Sequence, residues 1–174
     1  FQQVGVAIAA FERSPLLQAF SSKYDAVIRG QASFNAQEQR GLALFRDPAR
    51  ANCAGCHAMD PGSARPQDSL FSDFSYYATG IPRNTAIPAN ADASFYDLGL
   101  CGPNRTAPAI PAALTAQILP SELCGKFRMP SLRNVAERPA FMHNGFFSDL
   151  REVVRFYATR ASNPERWYGP SGAP

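Results

Sequence analysis

Cys53-Ala54-Gly55-Cys56-His57 is the stretch that decides how this chain is read. Cys-x-x-Cys-His is the attachment signature of c-type haem, and its spacing has a chemical reason. Two thiols three positions apart can each form a thioether to one vinyl edge of a single porphyrin. The imidazole of the next residue then comes under the iron as the proximal ligand. A redox Cys-x-x-Cys would need a βαβ context, which the flanking sequence lacks. The competing reading is zinc, because Cys101 and Cys124 could complete a four-sulfur site with Cys53 and Cys56. Structural zinc sites usually pair two close-spaced knuckles, and Cys101 and Cys124 are far apart in the chain. The motif therefore favours one covalently bound c-type haem.

Outward from the motif, composition narrows the class. A chain of 174 residues is long enough for one domain with a proper core. Its net charge of +3 comes from scattered residues without a Lys/Arg run, so nucleic acid is not indicated. Lys126 is the one lysine near a potential docking face, where it could steer a charged partner. Fifteen prolines and twelve glycines concentrate between residues 60 and 130. Phe and Tyr interleave them, so this region reads as long ordered loops rather than disorder. No apolar stretch approaches the length of a membrane span. No signal peptide opens the chain, which reads as starting after processing or as a fragment. Four cysteines fit an oxidising compartment. With two taken by haem, Cys101 and Cys124 remain as an even pair. Such haems are attached outside the cytoplasm, where disulfides persist, which points to the periplasm. A Cys101–Cys124 bridge would contribute about 3 kcal/mol through the unfolded state; the alternative is two free buried thiols.

Val4, Ala7, Ile8 and Phe11 recur at helical spacing, so the opening residues predict an amphipathic helix stopped at Ser14-Pro15. Leu16, Leu17 and Phe20 suggest a second short helical piece. Ser21 to Ala32 is polar and Gly-punctuated, which marks a connector. Asn35 followed by Glu38 is an N-terminal capping arrangement. The helix it starts carries Gly41, Leu42, Leu44 and Phe45 and breaks at Asp47-Pro48. Gly41 would let another helix approach closely, with Phe45 filling space beside the haem edge. Phe71, Phe74, Tyr76 and Tyr77 read as loop anchors. Ala112 to Leu119 has the pattern of a short helix. Ser148 would cap a last helix with an apolar stripe of Leu150, Val153, Val154, Tyr157 and Ala161. Beyond Asn163 no further helix is expected.

The sixth position on the iron stays open at this level. His57 and His143 are the only histidines, and Met59 is too close to His57 to reach across the ring. Met129, Met142 and His143 remain in play, because a Met on a loop is the common electron-transfer choice. Either Met could equally be a gap-filling core side chain. Spacing alone makes Tyr157 a core residue.

Several blocks in order carry a resemblance: Ala7–Arg13, Arg40-Gly-Leu-Ala-Leu-Phe45, Asp97-Leu-Gly-Leu-Cys101 with Cys124-Gly125, Phe127–Val135, Phe141-Met-His-Asn-Gly145 and Leu150–Tyr157. Together they resemble the carboxy-terminal haem domain of the bacterial dihaem cytochrome c peroxidase and MauG family, over nearly the whole chain. The resemblance implies a mainly α, cytochrome c-like haem domain with long loop insertions. Residues 33–174 would form that domain, lacking the family's closing helix, and residues 1–32 a helical linker from a missing amino-terminal haem domain. Cys53, Cys56 and His57 match the attachment site and proximal ligand. His143 matches a histidine lying between the haem domains. The peroxidases' axial Met falls at Tyr157, as in the MauG-type branch, where a tyrosine is the axial ligand. The family block Thr-Ala-Pro-Tyr is Arg138-Pro139-Ala140-Phe141 here. Carbonyls at the positions of Arg138 and Ala140 help hold the family's interdomain calcium, so the shifted proline bears on that ion.

The function expected is electron transfer, to or from a second haem in a missing domain or companion chain, within a periplasmic peroxidase-like oxidoreductase served by a small redox donor protein. The family reduces hydrogen peroxide or, in the MauG branch, oxidises a protein substrate. A stand-alone monohaem electron carrier without enzyme activity is the alternative. The purified protein is expected to show a Soret band and an intact mass that includes one porphyrin. A colourless protein of bare polypeptide mass would end this reading.

Overall fold

The structure is a computed structural model that describes residues 2–99, 101 and 120–170. The short helix expected over Ala112–Leu119 lies outside the described residues. The fold is mainly α and cytochrome c-like, with helices joined by long loops. It divides into two compact units, Phe1–Leu70 and Phe71–Pro174.

In the first unit, α1 (Gln2–Glu12) forms where the apolar spacing predicts, although Val4, Ile8 and Phe11 are all exposed. The helical piece expected around Leu16 is only a turn. The amides of Leu17 and Gln18 both donate to the Ser14 carbonyl, and Phe20 then adopts a left-handed φ of 44°. The connector expected over residues 21–32 contains a helix instead, α2 (Lys23–Ile28). Its start is a capping box, in which the Asp25 amide donates to Ser22 Oγ and the Ser22 amide to Asp25 Oδ2 (3.3 and 3.0 Å). Polar flanks hid this Ser-x-x-Asp signal. α3 (Ala36–Arg46) begins on the predicted pair, with Asn35 Oδ1 accepting from the Glu38 amide at 2.9 Å and Glu38 Oε2 from the Asn35 amide at 2.8 Å. Lys23 Nζ reaches both Glu38 oxygens, at 2.8 and 2.6 Å, and ties α2 to α3. That ammonium, followed by the Asn35 amide, holds the Glu38 carboxyl below its ordinary range. Among the described residues no helix approaches Gly41 closely: a Cβ there would meet nothing within 4 Å.

The second unit holds a short antiparallel ladder and an aromatic core. β1 (Tyr76–Tyr77) pairs with β2 (Phe127–Arg128), Tyr76 facing Arg128 and Tyr77 facing Phe127. Phe71 and Phe74 both adopt positive φ, 55° and 57°. The Arg133 and Arg128 guanidinium groups lie over their rings at 5.1 Å, a cation–π clamp on each strained residue.

The last long helix, α4 (Leu150–Thr159), is capped by Asp149 rather than Ser148, its side chain accepting from the Arg151 amide at 2.8 Å. Its packed face also differs from the expected stripe. Phe156 is completely buried, whereas Val154 is 64% and Tyr157 45% exposed. One residue turns an α-helix by about 100°, so a centre at Phe156 instead of Tyr157 rotates the face accordingly. Phe141, Phe147 and Phe156 form the core, with Phe146, Leu150, Val153 and Trp167 packed against it. The Phe141 amide donates to the Phe147 carbonyl at 2.8 Å and folds the two core phenylalanines together. A further one-turn helix, α5 (Glu165–Tyr168), follows where none was expected. Its Trp167 meets Phe156 edge-on at 5.4 Å, and Tyr168 donates its hydroxyl to the Gly80 carbonyl at 2.7 Å. Local pattern was too short to show it; packing on Phe156 holds it. Phe156→Ala should destabilise the protein by about 3–5 kcal/mol, read from the midpoint of denaturant unfolding at unchanged slope.

Candidate haem site

The motif occupies one tight turn in the first unit. Asn52 enters it with a left-handed φ of 48°, and Cys53–Gly55 forms a 3₁₀ turn. The Cys56 and His57 amides both donate to the Cys53 carbonyl, at 3.2 and 2.8 Å. One carbonyl thus gathers both sulfur-bearing residues and the imidazole-bearing residue onto a single turn. Gly55 packs closely against the Asn52 side chain: a Cβ there would lie 3.0 Å from Asn52 Oδ1, so that amide would have to shift to admit one. Cys53 and Cys56 are half-buried and unbridged. Burial pushes the Cys53 thiol above its usual range, and the neighbouring Cys56 adds to this.

The surroundings fit a large apolar group. Among the described residues of this unit, the buried positions are Asp25, Pro66 and Ser69. No aliphatic or aromatic side chain there is fully buried, although the unit carries Leu42, Leu44, Phe45 and Leu70. Buried polar ties hold it instead. Ser69 Oγ accepts from the Asp60 amide at 2.9 Å and from the Tyr24 hydroxyl at 3.2 Å. A porphyrin on Cys53 and Cys56 would supply the apolar surface that the unit does not bury for itself.

The remaining candidates lie in the second unit. Met129 is buried, and its backbone is held on both sides: its amide donates to the Ser75 carbonyl and its carbonyl accepts from Ser72 Oγ, both at 2.8 Å. Met142 has a left-handed φ of 70° and packs against the aromatic core. Tyr157 meets Phe156 at 5.5 Å, and the Arg160 guanidinium sits over both rings while donating to the Thr79 carbonyl. His143 stacks flat on Phe127, with centroids 3.5 Å apart and planes within 8°. Burial lowers its pKa, and the Asp97 carboxylate partly offsets this. The reciprocal bonds Asn84 Nδ2 to the Asn144 carbonyl and Asn144 Nδ2 to the Pro82 carbonyl, both 2.9 Å, fix the segment that carries His143. Sequence reasoning missed Ser72, Arg160 and this Asn84–Asn144 clamp. None belongs to a spaced motif, and only the fold brings them to their partners.

Cys101 and Cys124 form a disulfide, with Cα atoms 4.9 Å apart. The bridge removes two of the four sulfurs that a zinc site would need. Among the described residues no group of three or more His, Cys, Asp or Glu is placed to hold a metal ion. Beside the bridge, Gly99 has φ +57°, and a Cβ there would stand 2.9 Å from the Lys126 carbonyl and 3.3 Å from the Phe127 ring. The bridge is therefore built into the approach to Phe127, on which His143 rests.

Comparison with known proteins gives the family. The methylamine utilization protein MauG of Paracoccus denitrificans is 35% identical over all of this chain and 42% of its own length. Cytochrome-c peroxidase IdrP1 of a Pseudomonas species is 30% identical over 87% of this chain and 39% of its own. The crystal structure of the diheme peroxidase BthA from Burkholderia thailandensis superposes with a TM-score of 0.81 at 44% identity, over 94% of this chain and 38% of that one. This chain belongs to the dihaem cytochrome c peroxidase and MauG family. It corresponds to the family's carboxy-terminal haem domain and spans about two fifths of the length of the curated relatives it matches. No family model matches the chain.

Thiol titration of the denatured protein without reductant should detect neither Cys101 nor Cys124. Two additional reactive thiols there would refute the bridge.

Proposed function

We propose that this chain is the electron-transferring haem domain of a periplasmic dihaem oxidoreductase that uses peroxide. The observation that carries this reading is the turn in which one carbonyl collects Cys56 and His57 onto Cys53, in a unit that buries no large apolar side chain of its own among its described residues. Cys53 and Cys56 would hold the haem through thioethers, and His57 would supply the proximal nitrogen. When bound, the haem supplies one-electron chemistry between ferric and ferrous iron. The chain's own share is ligation, burial and placement. Residues 33–174 make the haem domain, and residues 1–32 lead to it from an amino-terminal haem domain. The relatives' greater length supports a second haem partner over a stand-alone carrier.

Tyr157 is the proposed sixth ligand, ahead of Met142 and Met129. A phenolate is a hard, anionic donor that favours ferric iron and lowers the haem potential. Two observations support the choice. Tyr157 is the exposed neighbour of the buried Phe156, and the burial of Phe156 fixes its place on the helix. Met129 and Met142 are both taken up in packing, the ordinary role of a core Met. His143, flat on Phe127, would face the inter-haem region. Small redox donor proteins would supply electrons, and a calcium at Arg138 and Ala140 would belong to the interface with the other domain. The disulfide fits an oxidising compartment.

Tyr157→Phe keeps the ring and removes only the oxygen donor. It should convert a low-spin six-coordinate ferric spectrum to a five-coordinate or water-bound one and raise the potential. An unchanged spectrum in Tyr157→Phe, with a changed one on substitution of Met142 or Met129, would make this a His/Met electron-carrying domain instead.

A further inference from the structure

The second unit contains a cavity of about 450 Å3 whose lining includes Arg83, Ala93, Tyr96, Phe146, Trp167 and Tyr168. This is a size at which small-molecule sites occur. Two polar groups of its aromatic wall are already committed. The Trp167 indole N–H donates to Thr159 Oγ1 at 3.1 Å, and the Tyr168 hydroxyl donates to the Gly80 carbonyl at 2.7 Å. These two residues and Phe146 therefore offer the cavity ring surface and little else.

Arg83 brings the cation. Its guanidinium lies over the Tyr96 ring at 5.0 Å. Nη1 donates to the Asn90 and Asp92 carbonyls at 3.5 and 3.0 Å, and Nη2 to the Ala93 carbonyl at 3.3 Å. A guanidinium has five N–H groups, and these bonds use three. Nε–H and one Nη2 hydrogen have no acceptor among the described residues. The same three bonds hold the group still, so its remaining donors are preorganised rather than mobile. Carboxylates are the planar, two-oxygen acceptors that a guanidinium recognises best. Four aromatic side chains around one anchored cation call for a flat ring that bears such a group.

We propose that this cavity is a binding site for a small aromatic carboxylate, with the carboxylate on Arg83 and the ring among Tyr96, Phe146, Trp167 and Tyr168. No step of the haem function requires this site, so the two readings stand or fall separately. Occupancy should be visible at Trp167, the only tryptophan of the chain.

The test is calorimetric titration of the haem-loaded protein with benzoate, methyl benzoate and acetate, alongside the near-ultraviolet difference band of Trp167. Benzoate should bind saturably at one site and perturb the tryptophan band. Methyl benzoate, which lacks the charge, and acetate, which lacks the ring, should each bind at least tenfold more weakly. Arg83→Gln should weaken benzoate at least tenfold. Because Arg83 also ties the loop at residues 90–93, Ala93→Phe is the second variant: it fills the cavity, keeps the arginine and should abolish binding. The proposal is overturned if benzoate fails to saturate at millimolar concentration. It is equally overturned if acetate or the ester matches benzoate, or if Ala93→Phe, folded by circular dichroism, binds as the parent does. A protein that lacks covalent haem yet binds benzoate would refute the haem function and leave this site standing.

Discussion

Phe156 has nowhere to go but inward, and its complete burial organises the second unit. Phe147, Trp167 and Tyr168 surround it at centroid distances of 5.4 to 6.4 Å, with Trp167 and Tyr168 edge-on. Such edge contacts add to the area buried and prefer one mutual orientation. They fix the rotation of α4 about its axis, and everything attached to that helix follows. Tyr157 is set to the outside of the core, and Arg160 is brought back to the Thr79 carbonyl across both rings. Rotating α4 by one residue would bury the Tyr157 hydroxyl and expose Phe156, at the combined cost of a desolvated polar group and lost apolar burial.

The first unit is held by a different means. Its fully buried side chains, Asp25 and Ser69, are both polar, and each is satisfied locally: Asp25 by the Ser22 hydroxyl and amide, Ser69 by Asp60 and Tyr24. Buried polar groups of this kind hold one geometry because any shift leaves a donor or acceptor without a partner. Such ties can position a turn without supplying much apolar driving force. That division of labour suits a segment whose central feature is a covalent attachment motif.

Arginine links the loops of the second unit. The chain has only two lysines, Lys23 and Lys126. Arg83, Arg128, Arg133, Arg160 and Arg166 each lie over an aromatic ring at 4.9 to 5.4 Å. A planar guanidinium can stack on a ring and still direct its N–H groups sideways to carbonyls, as Arg83 and Arg160 do. Lysine's compact ammonium cannot do both. The described loops that carry the strained Phe71 and Phe74 are tied down this way.

Signals confined to a few neighbouring residues were legible in the sequence. The Cys53–His57 spacing, the Asn35–Glu38 cap and the apolar repeat of α1 each specify local geometry through bonds between residues one to four positions apart. The blocks from Ala7 to Tyr157 also sufficed to place the chain in its family. Where flanking polarity masks a local signal, as at Ser22–Asp25, the stretch has the pattern of a connector although the capping chemistry is present. Only the tertiary structure decided that Phe156 rather than Tyr157 is buried, that α5 exists, and that His143 rests on Phe127. The face of an amphipathic helix is ambiguous by one residue when Val153, Val154, Phe156 and Tyr157 could all be apolar. The choice falls to whichever ring finds partners, and Phe147, Trp167 and Tyr168 lie outside the helix itself.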